Sequence, residues 1–290
     1  MPFNRWKGCY DAENTKILIT KEDYTMNKRI FLAVLMIVLA FALQAQNDTL
    51  YVMKNGNVVG KYNLNTQVDS IVFYKPQILP GNTFTDSRDG NVYQIITIGN
   101  RVWMAENLKY LPTVIEPSTG SESIRYYYVY GYEGINETVA ITTANYATYG
   151  VLYNWTAAMD GATSSIAIPS GVQGVCPAGW HLPSDAEWKE LTDYLGGEDV
   201  SGGKLKETGT THWISPNTGA TNENGFSALP GGYRFFNGEF GDLGVYGAWW
   251  STTECDAINA WCRSMIYYGA RARRNQDFKE VGLSVRCVRD

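Results

Sequence analysis

The chain has 290 residues, enough for one or two domains, and 13% of its side chains are aromatic while only 18% are charged. This balance is typical of a globular, loop-rich protein with an aromatic core, and it excludes a disordered or coiled-coil chain. The formal net charge of −5 gives no case for binding nucleic acid, and the short basic run at 271–274 is interpreted as a solvated strand end or loop.

The N-terminal region has the pattern of a secretory leader. Lysine and arginine precede an unbroken apolar run of 14 residues at 30–43, and the small residue Ala45 follows. This run is shorter than the roughly 20 residues of a comfortable membrane span. Residues 26–45 are therefore predicted to be a signal peptide and residues 1–25 a gene-model extension. We expect a periplasmic, cell-surface or secreted protein with no membrane span in the mature chain.

The next predicted element is a β-hairpin. Residues 49–53 and 58–62 flank Lys-Asn-Gly-Asn, and Asn-Gly readily supplies the positive φ angles of a tight turn. A third strand is predicted at 70–74. Three strands in so short a stretch bury little core, so residues 46–80 are interpreted as a small β segment and linker. A single domain is expected at 81–290.

The first half of that domain begins with strands. Residues 92–98 and 101–104 flank Gly99-Asn100 and predict a pair of antiparallel strands. The polar, tyrosine-rich stretch at 111–147 has little periodicity and predicts a long loop. Residues 152–159 predict a short helix that ends at Asp160-Gly161.

A strongly specified helix start follows Cys176. Ser184 is a good N-cap, and Glu187 three residues later completes a capping box. Trp188, Leu191 and Leu195 then recur at helical spacing, and Gly196-Gly197 ends the helix. A cysteine so close to this stiff, proline-bounded entry suits a disulfide.

Short strands separated by glycine turns are predicted in the last third of the chain, at 225–234, 246–251, 260–267 and 282–288. Two main helices followed by a run of strands indicate an α+β domain.

Export changes how the cysteines are interpreted. The mature chain keeps four of them, at positions 176, 255, 262 and 287, in an oxidising compartment, and four cysteines allow three pairings. We favour Cys255–Cys262, since the six residues between them suit a hairpin turn, together with Cys176–Cys287, which would close a long loop. No Cys-x-x-Cys spacing occurs and the sequence has only two histidines, so no metal site of the zinc type is predicted.

From about residue 84 onward the chain closely resembles the Fibrobacter succinogenes major paralogous domain family of secreted bacterial proteins. Seven ordered motifs carry the resemblance: Asp-Gly-Asn-Val-Tyr from 89, Trp-Met-Ala-Glu-Asn-Leu from 103, Tyr-Gly-Val-Leu-Tyr-Asn-Trp from 149, Cys-Pro-Ala-Gly-Trp-His-Leu-Pro-Ser from 176, Gly-Phe-Ser-Ala-Leu-Pro-Gly-Gly-Tyr from 225, Trp-Trp-Ser from 249 and Ser-Val-Arg-Cys-Val-Arg from 284.

The resemblance implies a C-type-lectin-like fold, distantly similar to formylglycine-generating enzymes, in an exported protein of Bacteroidota type. It implies that a disulfide ties the first helix region to the last strand, which corresponds to Cys176 and Cys287, and that a second pair, Cys255 and Cys262, lies in the later strands. The family has no established activity, so the resemblance implies a fold and a location and leaves the function open.

Loop residues are the candidates for binding. Tyrosines give large contact areas at low entropic cost, and a glycan or a surface protein is the expected ligand, with no nucleic acid. Trp249 and Trp250 are adjacent in a strand, so one should face the core and the other, taken to be Trp250, the surface. The predicted binding residues are Tyr126, Tyr128, Tyr130, Asn222, Glu223, Asn224 and Trp250.

No cofactor is predicted, although calcium could bind through oxygen-rich loops such as Asp86/Asp89/Asn91 or residues 222–224. The usual calcium–sugar triplets of lectins are absent. Neither His181 nor His212 has an obvious nucleophile or carboxylate partner in the sequence, so catalytic residues are not predicted. The favoured function is a non-catalytic, exported binding module. The alternatives are a structural component of a cell-surface assembly and an oxidase-like enzyme related to the formylglycine-generating enzymes.

Overall fold

The computed structural model describes residues 6–11, 16–21, 49–54, 57–63 and 82–290. The predicted leader and the predicted third strand at 70–74 lie outside these residues. The chain divides between Lys75 and Pro76 into two compact units. In the described ranges no helix is both long and apolar enough to cross a membrane.

The first unit contains two antiparallel hairpins. Strands β1 (Trp6–Asp11) and β2 (Lys16–Lys21) form one, and β3 (Thr49–Lys54) and β4 (Asn57–Asn63) form the other. The antiparallel strand pair predicted on either side of Asn-Gly is therefore confirmed, and the turn itself lies outside the described residues.

The second unit mixes short helices with strands. Its helices are α1 (Glu137–Ala140), α2 (Ala144–Tyr149), α3 (Trp155–Met159), α4 (Asp185–Tyr194) and α5 (Glu198–Leu205). Its strands are β5 (Thr83–Thr85), β6 (Val92–Ile98), β7 (Arg101–Met104), β8 (Tyr127–Tyr128), β9 (Leu152–Tyr153), β10 (Trp180–His181), β11 (Gly231–Arg234), β12 (Phe240–Leu243), β13 (Tyr246–Glu254), β14 (Asn259–Ile266), β15 (Arg273–Phe278) and β16 (Val288–Arg289).

Two five-stranded sheets organise this unit. Their strand orders are β10-β16-β7-β6-β5 and β12-β11-β13-β14-β15. Every named pair is antiparallel except β11 and β13, which run parallel. The α+β class predicted from the sequence is confirmed.

Strand β13 is covered on both faces. Trp249 packs into one hydrophobic cluster with Trp103 and Trp188, and Trp250 packs into the other with Trp155 and Trp180. The two indole nitrogens donate in opposite directions, Trp249 Nε1 to Asn107 Oδ1 at 2.8 Å and Trp250 Nε1 to Tyr153 O at 2.7 Å. The prediction that Trp250 faces the surface is wrong, because alternation exposes a side chain only where one face of the sheet is open.

The capping box that opens α4 is confirmed. Ser184 Oγ accepts from Glu187 N at 3.2 Å, and Glu187 Oε2 accepts from Ser184 N at 3.0 Å. The helix buries Trp188 and Leu191. Gly196 and Gly197 follow with φ of +100° and +98°, values that side chains rarely adopt, so the helix ends where the sequence predicts.

A clamp, defined as residues 176–188 together with 287–290, joins the start of α4 to the C-terminal residues. Cys176 and Cys287 form the predicted disulfide across 111 residues of sequence. Strand β10 pairs with β16, with Trp180 opposite Arg289 and His181 opposite Val288.

The buried ring of His181 completes the clamp. Its Nε2 lies 2.9 Å from Glu187 Oε1 and its Nδ1 2.7 Å from Asp290 Oδ1. Arg101 Nη1 also meets Glu187 Oε1 at 2.9 Å. Burial alone lowers the pKa of His181, but its carboxylate partners outweigh burial and the net pKa is raised. For Glu187 burial is again the largest influence and raises the pKa, but hydrogen bonds from His181 and Ser184 leave it lowered.

Some predicted elements differ from the observed ones. The stretch 111–147, predicted as a loop, contains β8, α1 and the start of α2, since Asn136 and Thr143 cap two short helices that lack any apolar stripe. Helix α5 and strands β12 and β15 were missed because they are short and rich in glycine or charge.

Removing the clamp disulfide should destabilise the protein strongly. We expect a Cys176→Ala/Cys287→Ala variant to lose about 2–5 kcal/mol of unfolding free energy, since the bond closes a long loop. Urea unfolding measures the loss. Cys255→Ala is the matched control and should stay within about 0.5 kcal/mol of the parent. An equal loss of unfolding free energy in the double variant and in Cys255→Ala would contradict the Cys176–Cys287 pairing.

The clamp also predicts a pH dependence. His181, with a raised pKa, contributes stability in full below its ordinary pKa of about 6.5 and loses it as pH rises through the folded value. Glu187, with a lowered pKa, contributes stability in full above its ordinary pKa of about 4.3. It loses this contribution as pH falls through the folded pKa. Their joint contribution is therefore largest between about pH 4.3 and 6.5.

Unfolding by urea at pH 5.5 and pH 9 tests this dependence. The parent should lose more stability over this interval than His181→Gln, which cannot titrate. His212→Gln removes the other histidine while the clamp stays intact, and it is the matched comparison for His181→Gln. If the difference in unfolding free energy between the parent and His181→Gln is the same at both pH values, the assignment of this pH dependence to His181 is refuted.

Candidate functional site

An open groove of about 640 Å³ lies between the segment 117–133 and the β11–β12 hairpin. This volume is within the range of small-molecule sites, about 300–1,000 Å³. We call it the 130/240 groove. It is lined by Pro117, Ser118, Tyr130, Gly131, Glu133, Asn237, Gly238, Glu239 and Phe240.

Two half-buried aromatic rings form the floor of the groove. The ring centroids of Tyr130 and Phe240 are 5.0 Å apart, with a 40° angle between the planes. Tyr130 follows the buried strand β8, and Asn145 Nδ2 donates to its carbonyl oxygen at 3.0 Å. Burial raises the pKa of the Tyr130 hydroxyl, which is therefore a neutral hydrogen-bonding group.

Gly232 leaves room for the Tyr130 ring beside β11. Its φ is +64°, and an added Cβ would come within 2.8 Å of Tyr130 Cε2 and 2.3 Å of Gly241 O. Any side chain here would therefore displace the ring or the backbone of β12.

Buried Arg234 holds the wall of the groove in place. It extends from the end of β11, and its Nε donates to Pro117 O at 2.8 Å while Nη1 donates to Glu280 O at 3.2 Å. Its guanidinium also lies 4.8 Å from the centre of the Tyr128 ring, whose hydroxyl donates to Thr119 O at 2.7 Å. The segment 117–119 is thus attached to the sheet by charged and aromatic groups beneath it.

Polar side chains border the groove. Glu133, Asn237 and Glu239 are exposed. Asn237 Nδ2 donates to Glu239 Oε2 at 2.8 Å, and Asn237 Oδ1 accepts from Glu239 N at 3.0 Å, so these two side chains are oriented by each other. The groove offers aromatic surface for stacking, two carboxylates and an amide. These groups can bind a ligand, but none of them forms a contact between a nucleophile and a base.

Of the three predicted binding tyrosines, the structure brings only Tyr130 to the groove. Tyr126 is half-buried and packs edge-on against Tyr128, with ring centroids 6.4 Å apart. Tyr128 is fully buried, and burial raises its pKa to about 12. Its prediction as a ligand contact is wrong, although it supports the groove from below.

The predicted binding residues at 222–224 lie outside the groove. Asn222 Oδ1 accepts from Ser227 N at 2.8 Å, and its Nδ2 donates to Ser227 Oγ at 2.9 Å. Glu223 pairs with Lys204 at 3.1 Å. The Asn224 amide nitrogen is buried. Asn222 thus stabilises a turn, and none of the three residues lines the 130/240 groove.

The oxygen-rich turn at 86–91 is similarly occupied by internal donors. Asp86 is fully buried, and its carboxylate accepts from Arg88 Nε at 2.9 Å and Nη2 at 2.7 Å. Asp89 accepts from the backbone and side chain of Asn91, both at 2.9 Å. Across the part of the chain that the structure describes, no group of three or more His, Cys, Asp or Glu side chains is arranged to hold a metal ion.

Both histidines have carboxylate partners that the sequence did not reveal. His181 lies in the clamp between Glu187 and Asp290, and His212 Nδ1 meets Glu207 Oε2 at 2.8 Å. The partners of His181 are 6 and 109 residues away. Only the turn of the helix and the pairing of the strands bring them to the ring, so the sequence alone cannot indicate them.

The second predicted disulfide is wrong. Cys255 and Cys262 are free in the structure. On the β13–β14 hairpin Cys262 lies opposite Trp250 and faces the core, while Cys255 Sγ lies 2.7 Å from Gln276 Oε1 on β15. The hairpin turn is real, but its register separates the two thiols. Burial raises the pKa of Cys262 well above its usual range, so this thiol is protonated and a poor nucleophile.

Comparison with known families supports the resemblance found in the sequence. The Fibrobacter succinogenes major domain matches residues 96–289, which include every residue of the 130/240 groove and all of the clamp except Asp290. The chain belongs to this family. None of the curated proteins or solved structures compared with the chain matches it. Family membership identifies the domain and assigns no ligand.

The list of predicted binding residues did not include Glu133, Asn237, Glu239 or Phe240, although Glu133 and Asn237 lie in the loops that were expected to hold a ligand, at 110–147 and 222–237. One signal was present: Asn237-Gly238 follows a predicted strand, and Asn-Gly indicates a hairpin turn. Recognising this turn would have placed a strand at 240 and its aromatic ring beside β11.

Thiol labelling distinguishes the two cysteine arrangements. With both cysteines free, a water-soluble maleimide should modify Cys255 in the folded protein and Cys262 only after unfolding, because Cys262 is fully buried. Peptide mass spectrometry locates the adducts, and Cys255→Ser provides the blank. Absence of labelling at both positions in urea without reductant would indicate a Cys255–Cys262 disulfide.

Proposed function

We propose that the chain is an exported, non-catalytic binding module whose 130/240 groove binds a glycan. The observation that carries the proposal is the pairing of the Tyr130 and Phe240 rings in an open groove bordered by Glu133, Asn237 and Glu239. Aromatic faces accept the apolar C–H faces of sugar rings, and carboxylates and amides accept or donate hydrogen bonds to hydroxyl groups.

The construction of the groove supports a binding role. Its floor and wall rest on buried groups, Arg234 and Tyr128, so the site is largely preformed and a ligand need not order it. Preformed sites lose less free energy on binding than flexible loops do.

Export is supported by the leader pattern at 26–45 and by the clamp disulfide, a bond typical of oxidising compartments. A C-type-lectin-like relationship is the further expectation from the family resemblance. It agrees with a mixed α+β unit in which loops are attached to a disulfide-linked framework.

A non-catalytic role is supported by the state of the reactive groups. Cys262 is buried and protonated, and His181 is held by two carboxylates inside the clamp. The lining residues of the groove include neither cysteine nor histidine.

A structural role in a cell-surface assembly is the second candidate. It is favoured by the β3–β4 hairpin of the first unit, because in the described residues its two strands hydrogen-bond to each other alone and a sheet edge can pair with a strand of a neighbour.

Substitution of the floor residues tests the glycan proposal. Tyr130→Ala and Phe240→Ala should each weaken binding to an oligosaccharide identified on a glycan array by about tenfold, or about 1.4 kcal/mol. Isothermal titration calorimetry measures the affinity. Tyr268→Ala removes an aromatic side chain that is 53% exposed outside the groove and should bind like the parent.

Phe240→Tyr keeps the aromatic face and should retain most of the affinity, which separates loss of stacking from loss of fold. If no saccharide on the array binds the parent protein, and deletion of residues 46–80 changes its oligomeric state in size-exclusion chromatography, the assembly role replaces the glycan role.

A further inference from the structure

The charges at the 130/240 groove have a single sign. Its two ionisable carboxylates, Glu133 and Glu239, are exposed, and the lining contains no lysine, arginine or histidine. Asp242 lies close enough to the Tyr130 hydroxyl to raise its pKa further. The charged side chains that a ligand can contact in the groove are therefore negative.

Arg234 offers no donor to a ligand in the groove. It is fully buried behind Pro117, and its donors are engaged by the carbonyl oxygens of Pro117 and Glu280. An added Cβ on Gly120 would lie 3.1 Å from the Glu280 carboxylate and 3.0 Å from the Arg234 guanidinium, so an acidic group lies close to the arginine and offsets part of its charge.

The aromatic floor has the same preference. The faces of Tyr130 and Phe240 carry the negative part of the ring quadrupole, which attracts cations and repels anions. Rings and carboxylates at one site are the chemistry that recognises a protonated amine, and an acidic ligand would be desolvated against like charge.

On this basis we infer that the groove selects amino sugars: it binds a glycan that carries a protonated amine, with the amine at Glu133 and Glu239 and the sugar face on Tyr130 and Phe240. This inference rests on the proposed glycan-binding function and adds the ligand's charge class. Glu133 and Glu239 determine the specificity, because an N-acetylated sugar has the same ring faces but no cation for them to bind.

Affinities for three matched oligosaccharides test the inference. The probes are β-1,4-linked tetramers of glucosamine and of N-acetylglucosamine, and a tetramer of galacturonic acid. At low ionic strength and pH 6 the exported protein should bind the glucosamine tetramer about tenfold more tightly than the acetylated one, and the acidic tetramer more weakly still. Raising the salt concentration should reduce the difference between the first two.

Removing the two charges should abolish the preference. In Glu133→Gln/Glu239→Gln the affinities for the glucosamine and N-acetylglucosamine tetramers should agree within about threefold, since the stacking floor remains. Asp193→Asn/Asp199→Asn, whose parent side chains are 56% and 82% exposed on α4 and α5, makes the same change in net charge outside the groove. This control should keep the parental ratio.

Each other outcome has a definite meaning. Equal binding of the glucosamine and N-acetylglucosamine tetramers by the parent, lost in Phe240→Ala, would overturn the charge selection while leaving glycan binding intact. Binding of a trilysine peptide but of no tetramer, with the same dependence on Glu133 and Glu239, would make a basic peptide the occupant and overturn the amino-sugar assignment. Absence of binding to every probe and to the glycan array would overturn the proposed function itself.

Discussion

The clamp between residues 176–188 and 287–290 is the constraint on which the rest of the second unit depends. A disulfide, a β10–β16 pairing and the buried ring of His181 join the same two segments. Together they fix the strand that follows Val285 against β7, where Val288 lies opposite Trp103. The last residues of the chain are thereby built into the sheet, and a loop of more than a hundred residues is closed around the core.

Strands β13 and β11 connect the packing around the clamp to the groove. Both faces of β13 are buried, so a shift in register would move Trp249 and Trp250 into the opposite clusters and break both indole hydrogen bonds. Strand β11 lies beside it and carries Arg234, whose side chain attaches the segment 117–119. The groove is therefore a consequence of the same packing that holds the clamp, although none of its lining residues belongs to the clamp.

Much of the framework could be predicted from the sequence, because its signals are local. The capping box at Ser184 and Glu187, the end of the helix before Gly196 and the pairing of β3 with β4 each depend on neighbouring residues alone. The Cys176–Cys287 bond was among three pairings and needed the fold to select it. The failures at Trp250, Tyr128 and the Cys255–Cys262 pair share one cause: each depends on what covers a strand face or on the register of a hairpin, and a single sequence specifies neither. Tyr130 was found and Phe240 missed for the same reason, since the two rings meet across 110 residues of chain.

Hydrogen–deuterium exchange with and without the glucosamine tetramer tests most directly whether the groove binds the ligand while the clamp maintains the fold. We expect slower exchange on ligand addition in peptides covering 115–133 and 235–241, with no change in 176–188 or 285–290. Protection confined to the clamp, or to a surface remote from Tyr130 and Phe240, would contradict this expectation.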